Sequence, residues 1–150
     1  MSDSIYCADV TWLDGHRGRV ALGNGPEMEF SAPPDSHGLP EVLTPEDAFV
    51  AAVNTCVMLM FLWAAERYHL KLLSYDCHAE GTKHIELDRT EIFSQVRLQP
   101  HIRLAAGDES PAVVEARAKK ALQAAQKYSL VANSVKSQVI VQAQIRVECG

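Results

Sequence analysis

The sequence predicts an α+β protein, with antiparallel sheet around a long buried helix, in the order βββ-α-ββ-α-β. Three observations carry this. Short strand-like runs separated by turn residues fill the chain before residue 44. A long helix that is apolar on every side follows, and the chain closes on a clean apolar–polar alternation from Lys136 to Glu148. A period of two marks strands and a period of 3.6 marks helices, and a run of strands around isolated helices gives α+β rather than α/β.

Taken in order, Ser4 to Trp12 carries Ile5, Tyr6, Val10, Thr11 and Trp12, residues that suit a strand. Asp14-Gly15 makes the corner that follows, Arg19 to Leu22 returns, and Gly23 to Pro26 turns again. Met28 and Phe30 alternate with Glu27 and Glu29, a third strand with one wet face. Residues 32–43 contain three prolines and a glycine and read as a loop.

The central helix spans Thr44 to Arg67. Thr44 is a suitable N-cap, Pro45 takes the first helical position, and Glu46 and Asp47 meet the positive end of the helix dipole. From Ala48 to Ala65 only Asn54 and Thr55 are strongly polar. A helix apolar all round is buried all round. Its apolar run is roughly 27 Å long, the lower limit for crossing a bilayer. Two central polar residues and the lack of a second such segment argue for a core helix and against a membrane.

After it, Leu72 to Ala79 reads as a strand, Glu80 to Lys83 as a turn, and Ile85 to Leu98 as a long strand bulged near Arg89. Pro100 marks that strand's edge or end, with continuation through His101 to Leu104 as the alternative. Ser110 and Pro111 open a second, amphipathic helix to Tyr128, with Val114, Ala118, Ala121, Leu122 and Ala125 on its apolar face. Residues 129–134 connect to the closing strand. One chain with a single partly wet second helix offers too little cover for the central helix, so an intimate homodimer is expected.

The 150 residues suit one domain, 1–150, with an ordinary hydrophobic fraction of 47%. A net charge of −5 without a basic cluster excludes nucleic acid as an expected partner. The N-terminus lacks the basic and apolar regions of a signal peptide, which suggests a cytoplasmic protein. Cys7, Cys56, Cys77 and Cys149 are too far apart for a C-x-x-C and are expected to be free thiols there. No histidine pair has metal-ligand spacing, so neither metal nor cofactor is implied.

The stretch T-P-E-D-A-F-V-A-A-V-N-T-C, residues 44–56, resembles the superfamily of osmotically inducible protein C and the organic hydroperoxide resistance proteins. The likeness extends over nearly the whole chain, through the N-terminal meander, the loop ending in Gly38, the second helix and the final strand. It implies an OsmC-like fold in an intertwined homodimer. It also implies that Cys56 is a peroxide-reactive cysteine, assisted by an N-terminal arginine and the helix-opening glutamate, Glu46. Arg17 fits the arginine better than Arg19, because it lies on the turn after Gly15. Glu46 would then hold Arg17 through a carboxylate–guanidinium pair.

The chain departs from the pattern at one point. Val131 and Asn133 match the family's second-cysteine motif, which puts Ser129 where that cysteine belongs. A serine oxygen cannot form a disulfide or resolve a sulfenic acid. Two readings follow. In one, the protein is a single-cysteine organic hydroperoxide reductase recharged by an external thiol. In the other, it is a non-enzymatic dimer that binds a small lipophilic ligand. Phe61 and Trp63 are candidates to line an acyl-sized pocket, and Tyr128 to fill space near the thiol. Cys7, Cys77 or Cys149 would replace the missing partner only if the fold brings one of them close.

Overall fold

The computed structural model describes residues 2–149, as two compact units that divide between Phe49 and Val50. In the first unit, strands β1 (Ala8–Asp14), β2 (Arg17–Leu22) and β3 (Glu27–Ser31) form the expected antiparallel meander. Register places Val10 beside Val20 and Met28, and Trp12 beside Gly18 and Phe30, so one face of this sheet is apolar. Val10 and Trp12 on it are 70% and 75% exposed.

The proline-rich loop contains one 3-10 turn, Pro34–Ser36. Gly38 is obligatory in it, since a Cβ there would lie 1.4 Å from the Ala32 carbonyl oxygen. Buried Ser31 ties the loop down by accepting from the Leu39 amide at 3.1 Å. Helix α1 (Pro45–Arg67) starts where expected, with the Thr44 hydroxyl accepting from the Asp47 amide at 3.1 Å.

The second unit holds most of α1, the long strands β4 (Lys71–Ile85) and β5 (Glu91–Ala105), helices α2 (Pro111–Tyr128) and α3 (Leu130–Asn133), and strands β6 (Gln138–Val141) and β7 (Gln144–Glu148). Its core is Val53, Val57 and Phe61 of α1, Val96, Leu98, Ile102 and Leu104 of β5, and the apolar face of α2. That face is the expected one: Val114, Ala118, Ala121, Leu122 and Ala125 are all buried. Arg117 of α2 holds the end of α1, donating to the Tyr68 carbonyl at 3.0 Å and to Glu109 at 2.7 Å.

The structure corrects the sequence reading in three places. Residues 80–83 are strand, not turn; the reversal lies at Glu86–Thr90, where Arg89 takes φ 73°. Gly81 is not there to turn the chain. A Cβ on it would meet Val50 at 2.8 Å and the Phe93 ring at 3.0 Å, so its lack of a side chain lets α1 and β5 close in. The sheet is mixed: β5 pairs antiparallel with β4 but parallel with β6 and β7.

The third correction is at Pro100, which is buried in the middle of the central strand rather than at an edge. Leu98 accepts from the Gln142 amide at 2.8 Å, and the two-residue period points Pro100 toward the same neighbour. Proline has no N–H to give there. The expected single closing strand is accordingly interrupted beside Pro100, at Gln142 and Ala143, and resumes in the same register as β7.

Helix α1 is not enclosed by its own chain. Val53, Val57, Phe61, Ala64 and Ala65 are buried, whereas Leu59 and Trp63 remain 46% and 59% exposed. Among the described residues it is the one helix long and apolar enough to cross a membrane. Asn54, its central polar residue, is spent on the sheet, donating to the Cys77 carbonyl at 3.1 Å.

Candidate functional site

Cys56 is half-buried on α1. Side chains three and four residues apart share one side of a helix, so Cys56, Met60, Trp63 and Arg67 form a single stripe. The last three, with Ala64, Tyr68, and Ala124 and Tyr128 of α2, line a groove of about 680 Å³. The thiol therefore stands one turn before the groove's first lining residue. Arg67 is the groove's only formally charged lining residue. Trp63 and Tyr128 are among the lining residues, whereas Phe61 is fully buried with its ring 5.5 Å from that of Tyr75.

Arg17 opens β2, and a register shift after Trp12 sets Asp14 directly opposite it. Its Nε and Nη2 donate to the two Asp14 carboxylate oxygens at 3.1 and 2.6 Å, and its Nη1 donates to Glu29 at 3.0 Å. The hydrogen bonds that Arg17 donates hold the Asp14 carboxyl below its ordinary value, and by donating to Asp14 and Glu29 the guanidinium is itself pushed up. Arg19, two residues on and on the same face, is exposed and has no ion pair among the described residues.

The expected Arg17–Glu46 pair is not formed. Glu46 lies in the first turn of α1, and its Oε1 is buried with no hydrogen-bond partner among the described residues. The reason is local. A carboxylate three residues before Arg17, across a turn, is closer at hand than one on another element. That spacing is a signal by which Asp14 could have been found. Glu29 is brought up only by strand register and leaves no such trace.

Ser129 is fully buried between α2 and α3. Its hydroxyl accepts from the Ala132 amide at 3.3 Å, the N-cap of α3. The oxygen at the expected second-cysteine position thus has a folding role. Cys77 is half-buried on β4, and burial pushes its thiol up. Cys7 and Cys149 are exposed. Among the described residues no group of three His, Cys, Asp or Glu side chains could hold a metal ion.

A family model described as OsmC-like protein matches residues 38–144. No curated protein matches the chain. Among solved structures, an OsmC-like protein of unknown function from Vibrio cholerae is 24% identical with a TM-score of 0.84, over 95% of this chain and 100% of that one. An organic hydroperoxide resistance protein from Elizabethkingia anophelis is 16% identical, TM-score 0.72, over 98% and 99% of the two chains. Another from Bacillus subtilis is 12% identical, TM-score 0.62, over 95% and 98%. The α+β architecture is thus the OsmC-like fold.

Proposed function

This chain belongs to the OsmC-like protein family, and we propose that it is a single-cysteine organic hydroperoxide reductase of oxidative-stress defence. The proposal rests on Cys56, a half-exposed thiol at the head of an apolar groove that suits the hydrocarbon part of such a substrate.

The Cys56 thiolate gives an electron pair to the distal peroxide oxygen, and the O–O bond breaks. The leaving alkoxide takes a proton and departs as the alcohol, and the sulfur keeps the hydroxyl as a sulfenic acid. One external thiol condenses with it, releasing water and leaving a mixed disulfide. A second displaces the protein sulfur and regenerates the thiol. Ser129, being a serine, takes no part in this redox cycle.

Arg17 serves as the donor that meets the thiolate and the departing alkoxide. A guanidinium has five N–H donors. Three of them are used by Asp14 and Glu29, which aim the group and leave two for the reaction. Asp14 and Glu29 thus take over the orienting task first assigned to Glu46.

The working form is an intertwined homodimer in the cytoplasm, each chain acting as one domain, 1–150. Its interface would cover Leu59 and Trp63 on α1 and Val10 and Trp12 on β1, all of which one chain leaves exposed. A donor from the second copy would also satisfy the unmatched oxygen of Glu46.

One observation favours the second reading, a dimer that binds a small lipophilic ligand without turnover: the charge of Arg17 is already met by two carboxylates. Hydroperoxide consumption with several thiol reductants, on wild type and Cys56→Ser, separates the two. Turnover lost in Cys56→Ser supports the reductase. No consumption, with no mass change at Cys56 under conditions that oxidise a free thiol, leaves the binding dimer.

A further inference from the structure

The face of the long sheet turned away from α1 carries a second concavity. It is a depression of about 350 Å³ across β4, β5 and β7. Register stacks its lining in two cross-strand rows: Ser74, Arg103 and Arg146 in one, Asp76, His101 and Gln144 in the other. These side chains alternate with the buried Ile102 and Leu104 of β5, so they share the outer face.

The charges in it are arranged unusually. Arg103 and Arg146 are register partners on neighbouring strands, and like charges set side by side are unfavourable. Glu148 compensates one of them, accepting from Arg103 Nε and Nη2 at 2.8 and 3.0 Å. Both arginines attract the Glu148 carboxylate, but only Arg103 bonds to it. Among the described residues Arg146 has no hydrogen-bond or ion-pair partner. Neither has Asp76, at the opposite corner of the two rows. One cation and one anion, both solvent-exposed and neither hydrogen-bonded nor ion-paired among the described residues, therefore face the same depression from different strands. Two strand spacings and two residues along the strand separate their Cα atoms by about 12 Å. That is too far for Asp76 and Arg146 to pair without stretching both side chains.

We propose that this depression binds a small zwitterion of amino-acid to dipeptide size, its carboxylate on Arg146 and its ammonium on Asp76. Two charge-assisted hydrogen-bond sites facing each other across a gap suit such a molecule better than they suit a plain anion or a plain amine. His101 and Arg103 of β5 lie between these two sites, and His101 supplies a further polar group to the molecule's middle, while Arg103 is held by Glu148. The site lies on the sheet face opposite the helices and does not depend on the chemistry at Cys56.

The test is a titration of the isotope-labelled protein with glycine, glycylglycine, acetate and methylammonium, followed through its amide resonances. The expected result is saturable shifts at residues 74–76, 101–103 and 144–146 with one of the two zwitterions. Acetate and methylammonium should bind at least about tenfold more weakly. Arg146→Gln and Asp76→Asn should each weaken zwitterion binding by about tenfold, the worth of one charge-assisted bond. Three results overturn the proposal: no saturable shift with either zwitterion at tens of millimolar, acetate binding as tightly as glycine, or Asp76→Asn binding unchanged. An unaltered amide spectrum away from the depression checks that the variants are folded.

Discussion

Asn54 of α1 donates its side-chain amide to the main-chain oxygen of Cys77 on β4 at 3.1 Å, which fixes the side of the helix that meets the sheet. Two residues further on, Cys56 is turned by about 200° around the helix axis, away from β4. The two half-buried thiols of this unit therefore lie on opposite sides of α1. Oxidation by an organic hydroperoxide should yield no disulfide between Cys56 and Cys77 within one chain. Non-reducing intact mass and peptide mapping would show it, and Cys77→Ser should leave the lifetime of a Cys56 sulfenic acid unchanged. A rapid Cys56–Cys77 crosslink would overturn this assignment of helix faces.

Arg17 and Arg19 offer a paired comparison. Arg17→Ala should slow sulfenic acid formation at Cys56 by about 100-fold or more, the range for removing one transition-state donor. Arg19→Ala, which disturbs no ion pair, should change it by less than about twofold. Stopped-flow measurement with an organic hydroperoxide decides. Equal effects would remove the special role given to Arg17.

For assembly, the exposed stripe of α1 gives the prediction. Leu59→Asp puts a charge on a face that a single chain leaves 46% exposed. Such a change costs a monomer little, but buried in an obligate interface of at least about 2,000 Å² it should break the dimer. Sedimentation at micromolar concentration should show wild-type dimers and dissociated Leu59→Asp. A stable, folded wild-type monomer contradicts the dimer.

Replacing Ser129 by alanine removes the cap of α3. The expected loss is about 1 kcal/mol of stability, read from urea denaturation, with no direct effect on the redox cycle. By the same reasoning Ser129→Cys should be destabilising before it is useful, because sulfur is a poorer acceptor for the Ala132 amide.

Acid should weaken the fold from its surface inward. Asp14, Asp88 and Glu148 are held below their ordinary values of 3.8, 3.8 and 4.5 by hydrogen bonds from Arg17, Thr90 and Arg103 respectively. A carboxyl depressed in the folded state stabilises above its unfolded value, and that stability is lost as pH falls through the folded one. The urea midpoint should be flat in these groups' contribution above about pH 5 and fall below about pH 4. Glu148→Gln should make the fall shallower. All three are surface groups, so the effect of each is small.

Much of this architecture can be read from residues alone, because local chemistry decides it. Thr44-Pro45-Glu46 writes a helix start, and the spacing of Val114, Ala118 and Ala121 writes a buried face. The misreadings arise where a distant neighbour decides. Gly81 has the composition of a turn, yet its glycine answers to Val50 and Phe93. Glu29 reaches Arg17 only through strand register, whereas Asp14, three residues away, was within reach of a local reading. The groove beside Cys56 needs Ala124 and Tyr128 from another helix, and no local pattern in α1 announces them.

Pro100 has a consequence for the time before folding is complete. During synthesis the β4–β5 hairpin can form from adjacent sequence, whereas β6 and β7 emerge only after all of α2. In that interval the far edge of β5 is an open template, able to recruit a strand from another nascent chain. A proline at the centre of that edge withholds one N–H from any strand that docks there. The protein's own closing strand pauses at that point and resumes beyond it; an intruder that needs an unbroken ladder gains less. The interruption between β6 and β7 is thus paired with an edge that is a poorer template for a foreign strand than an unbroken one would be.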